Sequence, residues 1–528
     1  MVLQSFVATE PDTDGDSQGA SVRTALLFLA IHVCTWGAAE GNAVPPRHPS
    51  PAHHAPSIVD NTVHMDWNNI DMLVTNHGSF AYDLARGSPG FIYPKGSGRT
   101  ALFAAGPWIG AKVNGQVRVA LGEFAQDFVP GPMVNGTFQT DRPSFKNYKI
   151  VSNDTTSFDY LNWPADQGAP VDSTGAPALL GEAMIWSVYN DADPAMHTSV
   201  AGSTQPLGIE VQQTTFALGH SGPIANIIFV RYKLVNKGGN TLDSMFVSAW
   251  TDPDLGGSQD DLVGCDTTRS LGYVYNSTNN DDVYFTRPPA VGFQFLQGPV
   301  IPTGTPGVYD TLGMTSFNKY IGGTDPQSAL ETYSYMKGLN RDGSPVINPL
   351  TSQATKFPVS GDPVAQTGWL DSYPADRRFM LSTGPFTMAP GDSQEIITAI
   401  LVGQGTNRLS SIVDLRRAAA LARQVYEAGF PPGVPIPNVP PTVRFDVPRP
   451  NPARGTLYFT YTLPSSGRVR LALYDASGKM AALIDDSVHD AGPNVTPWSP
   501  REGLPSGVYF AVLESGRERL VKKLVVAR

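Results

Sequence analysis

The densest chemistry in the chain lies between residues 252 and 266. There Asp252, Asp254, Asp260, Asp261 and Asp266 place five carboxylates within fifteen residues. Carboxylates this close repel one another unless a cation or solvent screens them. Calcium takes roughly six to eight oxygen ligands and tolerates irregular loops, so the five aspartates form a candidate calcium site. The competing reading is a solvated acidic loop. The segment is no EF-hand, because Val263 stands where that motif needs a bidentate glutamate. Asn190-Asp191-Ala192-Asp193 is a shorter acidic candidate.

Other chemistry is sparse. The sequence contains no H-E-x-x-H, no G-x-S-x-G elbow, no P-loop and no dinucleotide fingerprint. Gly219-His220-Ser221-Gly222 resembles a serine-hydrolase loop only superficially and reads as a turn at a strand end. No catalytic or organic-cofactor residue is assigned. Trp108, Trp186 and Trp250 could line a glycan platform, but each sits in a strand-like run, which reads as core. Cys265 reads as a small buried residue. His48, His53 and His54 lie in a proline-rich tract and read as a solvated linker.

The elements that must position these groups are mostly strands. Charged residues are 16%, while Gly (52) and Pro (46) are abundant, a loop-rich β composition. A net charge of −10 with no basic stripe excludes a nucleic-acid partner. Residues 107–121 read as a hairpin about Asn114-Gly115, whose types suit a type I′ turn. Residues 224–251 read as a second hairpin turning at 237–240. Strands are also expected within 272–285 and 386–402, with a turn at Pro390-Gly391-Asp392. One helix is expected at 411–428, capped by Ser411 with Asp414 and stopped by Gly429. The expected fold is mostly β: multidomain β-sandwiches, that single notable helix, and a C-terminal Ig-like sandwich.

Five segments follow from these patterns. Residues 1–39 read as a signal peptide: Arg23, an apolar run from Ala25 to Trp36, then Gly37-Ala38-Ala39. Residues 40–57 are a Pro-rich linker, 58–430 a β-rich passenger of one body or two packed subdomains, and 431–442 a spacer holding six prolines. No other segment is apolar and long enough to span a membrane as a helix. Residues 443–528 read as a compact sandwich of about seven short strands.

Four motifs in this tail carry a resemblance. They are Arg449-Pro450-Asn451-Pro452, the run from Leu471 to Lys479 ending Asp475-Ala476-Ser477-Gly478-Lys479, the run Leu504-Pro505-Ser506-Gly507-Val508-Tyr509-Phe510, and Lys522-Lys523-Leu524-Val525-Val526. Together they resemble the type A C-terminal sorting domain of type IX secretion substrates and the FlgD-type Ig-like domain. Ala453-Arg454 departs from the pattern, where an aromatic commonly follows the proline. The resemblance implies secretion to the cell surface or medium. It also implies recognition of the tail by outer-membrane secretion machinery, translocation of the folded passenger, and often removal of the tail with attachment to surface polysaccharide. The expectation is an exported surface or secreted protein with a non-enzymatic binding or structural passenger. The alternatives are an extracellular hydrolase acting on glycans or peptides, or a component of an extracellular layer.

Overall fold

The computed structural model describes residues 61–124, 127–430, 443–463, 466–490, 492–500, 504–516 and 518–527. The expected signal peptide, both proline-rich linkers and the three linker histidines lie outside the described residues. The passenger opens with a small sheet from Thr62–Met65, Asp71–Thr75, Phe91–Ile92 and Thr100–Leu102. Its principal strands follow in chain order. They are β1 (Ala104–Val113), β2 (Gln116–Leu121), β3 (Tyr148–Val151), β4 (Ala183–Asn190), β5 (Ile209–Ala217), β6 (Ile227–Asn236) and β7 (Leu242–Asp252). Then come β8 (Asp261–Asp266), β9 (Leu271–Asn276), β10 (Ala290–Gln297), β11 (Ser316–Ile321), β12 (Arg377–Met388) and β13 (Ser393–Gly403).

Two sheets take up these strands. One has the order β11-β12-β7-β1-β2. The other runs β3-β4-β5-β6-β13-β10-β9-β8, with the short strand Val129–Pro130 added on β4. One apolar core draws on both, from Ile109, Val247 and Leu381 on the first to Val230, Phe293 and Ile400 on the second. That is a sandwich, in which the inner faces of two sheets bury each other.

The outer faces are covered too. Helix α1 (Arg408–Glu427) lays Ile412, Leu415, Ala418, Ala419 and Ala422 on Phe229, Leu271, Tyr273 and Leu401 of the larger sheet. On the smaller sheet, the helix Ala329–Met336 brings Tyr333, Tyr335 and Met336 against Trp108, Phe246, Trp250 and Met380. Central strands therefore read as nearly unbroken apolar runs, as strands buried on both faces must.

This double burial explains a correction. Residues 224–251 are not a hairpin. β6 pairs with β5 and β13 in one sheet, and β7 pairs with β1 and β12 in the other. The chain after β12 crosses back in the same way into β13. Buried Asn236 ties the two crossings: its Nδ2 donates to Asn240 O and Met388 O, and its backbone exchanges bonds with Gly391 and Asp392. Gly391, at φ +89°, supplies the turn expected at 390–392. The β1–β2 hairpin is as expected, with Asn114 at φ +50° and Gly115 at +80°.

The helix begins earlier than expected. Asn407, not Ser411, is its N-cap; its side chain accepts from Leu409 and Ser410 N–H while Ser410 Oγ accepts from Asn407 N–H. Ser411 is instead buried, donating to Pro288 O at 2.7 Å. Gly429 follows at φ +78°, as a C-terminal stop should. The helix lies very close to the end of β13. A Cβ on Gly403 would stand 2.1 Å from Leu415 N and 2.4 Å from Ser411 O, which are backbone atoms that cannot step aside. Gly403→Ala is expected to cost about 1–3 kcal/mol of overpacking. A urea midpoint equal to wild type would contradict this close approach.

The tail has sheets of its own. Its strands are β14 (Leu457–Leu463), β15 (Gly467–Asp475), β16 (Met480–His489), β17 (Gly492–Trp498), β18 (Gly507–Ser515) and β19 (Glu518–Val526). One sheet holds Arg444–Phe445, β14 and β17; the other has the order β16-β15-β18-β19. Phe445, Leu457, Phe459, Tyr461, Val469, Leu471, Leu473, Leu513 and Leu524 form a separate core between them. Among the described residues no tail strand joins a passenger sheet.

Candidate functional site

The acidic segment leaves the central strand β7 at its last residue. Thr251 faces Phe379 across the ladder, which brings Asp252 beside Arg378. Asp252 is fully buried, and Arg378 Nη2 lies 3.1 Å from its Oδ2. The same guanidinium reaches Asp376 Oδ1 at 2.9 Å and Asp325 Oδ1 at 3.5 Å. Asp252, Asp254 and Asp376 bring carboxylate oxygens within 4.8 Å of one another. Burial first, then the neighbouring Asp254, drives the Asp252 carboxyl well above its ordinary range, against the pull of Arg378. This is a buried charge cluster organised around one arginine.

Glu123, in the loop after β2, belongs to the same field. Burial pushes its carboxyl up to about 8, and Asp325 adds to the effect while Arg378 opposes it. A carboxyl raised in the folded state contributes stability that is present below its unfolded value of 4.5 and is lost as pH rises to about 8. Glu123→Gln should therefore flatten the stability profile across that window. The slope removed is below the ~1.4 kcal/mol per pH unit of a full proton, because the side chain keeps some solvent contact. Equal slopes in paired denaturation series would refute it.

A second acidic group lies one turn further on. The 3-10 turn Ser258–Asp260 leads into β8, whose first residue, Asp261, faces Asn276, the last of β9. Leu255 N–H donates to Asp261 Oδ2 at 3.0 Å. Asn276 Nδ2 donates to Asp260 Oδ2 at 3.0 Å and Asp281 Oδ2 at 3.1 Å. Asp281 also accepts from Gly257, Val283 and Tyr284 N–H.

The five aspartates singled out in the sequence are thus divided. Asp252 and Asp254 join Asp376 around Arg378. Asp260 and Asp261 join Asn276 and Asp281. Asp266 sits with neither group. It occupies the far end of six-residue β8, roughly 16 Å along the strand from Asp261 at the usual rise per residue. There it caps the next 3-10 turn through Thr268 N–H and pairs with Arg269 at 2.7 Å and Arg416 at 3.7 Å. Its side chain is committed to those partners, and the hydrogen bonds and arginines hold its carboxyl below the ordinary range despite burial.

Sequence spacing missed Asn276, Asp281, Glu123, Asp325, Asp376 and Arg378. Only the Asn279-Asn280-Asp281-Asp282 run offered a signal of its own, as a polar loop.

The remaining sequence candidates have structural duties. Asp191 is buried and accepts from Leu207, Gly208 and Ile209 N–H at 2.6–2.9 Å, so it anchors a loop. His220 Nδ1 bonds Trp67 O at 2.8 Å, in the loop between β5 and β6. Trp108 and Trp250 stack at 5.3 Å in the core, Trp250 Nε1 donates to Tyr320 OH at 2.7 Å, and Trp186 is buried elsewhere. Cys265 is buried, and its thiol is pushed far up by that burial.

The tail motifs also have local causes. Asn451 pins the last strand, its Nδ2 donating to Lys523 O and its Oδ1 accepting from Val525 N–H. Ala453 fills a buried place beside it and bridges to Val526. Asp475 Oδ1 accepts from Ser477 and Lys479 N–H while Gly478 takes φ +82°, closing the β15–β16 turn. Tyr509 OH donates to Pro505 O at 2.8 Å.

A mostly β exported chain with a small C-terminal sandwich is the class these features define. Residues 449–527 match the family described as the secretion system C-terminal sorting domain. The protein is accordingly secreted or displayed at the cell surface, and its tail engages secretion machinery. A comparison with curated proteins finds no match. Among solved structures, a polysaccharide lyase aligns over 81% of this chain and 40% of its own, at 8% identity and a TM-score of 0.24. Dimeric latent PorU from Porphyromonas gingivalis aligns over 65% of this chain and 31% of its own, at 13% identity and a TM-score of 0.14. The trimeric ectodomain of the C. elegans fusion protein EFF-1 aligns over 90% of this chain and 97% of its own, at 8% identity and a TM-score of 0.15. The chain spans less than half the length of the first two, and scores this low carry no functional argument.

Proposed function

We propose that the passenger, residues 58–430, is a non-catalytic binding or structural module that the C-terminal sandwich delivers to the cell surface. In this reading the passenger is held there by attachment to surface polysaccharide. One observation carries the passenger's role. Two strongly raised carboxyls, Asp252 and Glu123, are drawn into the field of Arg378, and Arg378 itself is 8% exposed. A hydrolase needs such groups convergent on a cleft that admits substrate. Here their chemistry is absorbed by packing.

The test has two arms. Deleting residues 443–528 should leave the passenger inside the outer membrane, while the full chain is recovered outside the cell. Surface recovery of the deletion would reduce the tail to a spacer. The purified full chain should bind, and not depolymerise, a panel of glycans and peptides. Turnover abolished by Glu123→Gln would replace this reading with the hydrolase.

A further inference from the structure

Two clefts meet along β11, an edge strand of the smaller sheet. One, of about 400 Å³, lies toward Trp369, Asp371 and Tyr373. The other, of about 510 Å³, lies toward Glu331, Arg341 and Asp342. Lys319 and Tyr335 line both, so the two form one groove. Each volume falls in the range of roughly 300–1,000 Å³ usual for small-ligand sites.

The polar groups of this groove are already held in place. Asp371 Oδ1 accepts from Lys319 Nζ at 3.2 Å and from Arg377 Nη2 at 2.8 Å, while its Oδ2 accepts from Val263 N–H at 3.1 Å. Arg341 Nε donates to Glu331 Oε2 at 2.6 Å. Such pairing fixes each head group before a ligand arrives. An ammonium has three donors and a guanidinium five, so Lys319 and Arg341 keep N–H groups for a ligand. The aromatic side chains are fixed as well. Tyr320 and Tyr335 stack at 5.2 Å. Tyr373 is 70% exposed, yet Arg377 Nη2 donates to its backbone O, which ties the loop presenting this ring to β12. Trp369, four residues earlier, is half-buried on the same cleft.

These groups exclude some ligands as clearly as they suit others. The charged lining sets Lys319, Arg341 and Arg377 against Glu331, Asp342 and Asp371, which leaves no net charge to attract a polyanion. An extended peptide joins a strand edge through main-chain hydrogen bonds. Here the edge is occupied: Phe317 N–H donates to Lys356 O, Lys319 N–H to Asn318 Oδ1 and Ile321 N–H to Thr324 Oγ1. The groove instead suits a ligand with an apolar face for its aromatic rings and hydroxyls for its pinned charges. A sugar ring has both.

We propose that the β11 groove binds an oligosaccharide, its ring faces on Tyr373 and Trp369 and its hydroxyls on Lys319, Arg341 and Asp342. The assignment rests on the passenger being a binding module and names the class of its ligand. It uses none of the three tryptophans that the sequence offered as a glycan platform, because Trp108, Trp186 and Trp250 are buried.

The experiment applies the full chain to a printed array of neutral and acidic oligosaccharides, detects it with an antibody, and titrates the best-bound saccharide in solution. Tyr373→Ala should weaken that binding about tenfold, the order expected for the loss of one aromatic contact. Tyr373→Phe keeps the ring and should bind within about twofold of wild type. Tyr309→Ala removes a comparably exposed ring, 66% exposed in the hairpin of residues 300–311, and should change nothing. Both tyrosines are exposed, so each variant should melt with wild type. An array on which the full chain binds no saccharide would overturn the proposal. So would binding that survives Tyr373→Ala, which would leave the binding-module reading intact and move the ligand elsewhere. Release of shortened saccharide, followed separately as product, would overturn that reading and the proposal with it.

Discussion

Arg378→Met should destabilise the protein by about 3–5 kcal/mol, the usual consequence of removing one partner from a buried ionic cluster. Methionine preserves the length and apolar stem of the side chain, so the loss would report charge and hydrogen bonding more than volume. Without the guanidinium, fully buried Asp252 loses the cation 3.1 Å away, and Asp376 loses its contact at 2.9 Å. The double variant Arg378→Met with Asp252→Leu should recover most of the loss, because the buried charge goes with its partner. Guanidinium denaturation with an unchanged slope and a lowered midpoint is the expected record. A single-variant loss below about 1 kcal/mol would show that Arg378 is not what neutralises this cluster.

Asp191→Ala should cost a similar amount, about 3–5 kcal/mol, through backbone groups left without acceptors. One carboxylate receives Leu207 N–H at 2.6 Å, Gly208 N–H at 2.9 Å and Ile209 N–H at 2.7 Å. Truncation strands all three at the entry to β5, beside the core residues Leu207 and Ile209. Asp191→Asn retains one acceptor oxygen and should lose roughly half as much. Asp193→Ala is the control, since that side chain accepts only from Ala195 N–H in an exposed turn. If Asp191→Ala and Asp193→Ala unfold at the same urea concentration, Asp191 is not the anchor described here.

Legibility differed from element to element for identifiable reasons. The β1–β2 hairpin was readable because Asn114 and Gly115 encode the turn locally, with no help from the rest of the chain. The tail was readable for the same reason: its alternation, its Asp475 turn and its Asn451 clamp act within one small unit. Helix α1 was found but started three residues late, because Ser411 has a cap-forming side chain that the structure uses to hold Pro288 O. The 224–251 hairpin failed because β6 and β7 are each buried on both faces along most of their length, so their pattern does not say which sheet each enters.

The acidic segment shows the same divide at the level of a site. Its density of carboxylates was plain in the sequence, and so was the need for something to offset them. Which oxygens meet was not. Asp261 meets Asn276 through strand pairing, Asp260 meets Asp281 through Asn276 Nδ2, and Asp252 meets Arg378 from 126 residues away.

Short-range instructions lie in the residues themselves: turn types, strand alternation, the sorting tail, and the accumulation of negative charge after β7. Those depend on dihedral preferences and on neighbours a few residues apart. Partnership between distant strands depends on how both faces of each sheet are covered. Only the packed sandwich set that, and with it the division of one acidic segment into an arginine-centred cluster, a group gathered by Asn276, and an Asp266 paired with arginines at the far end of β8.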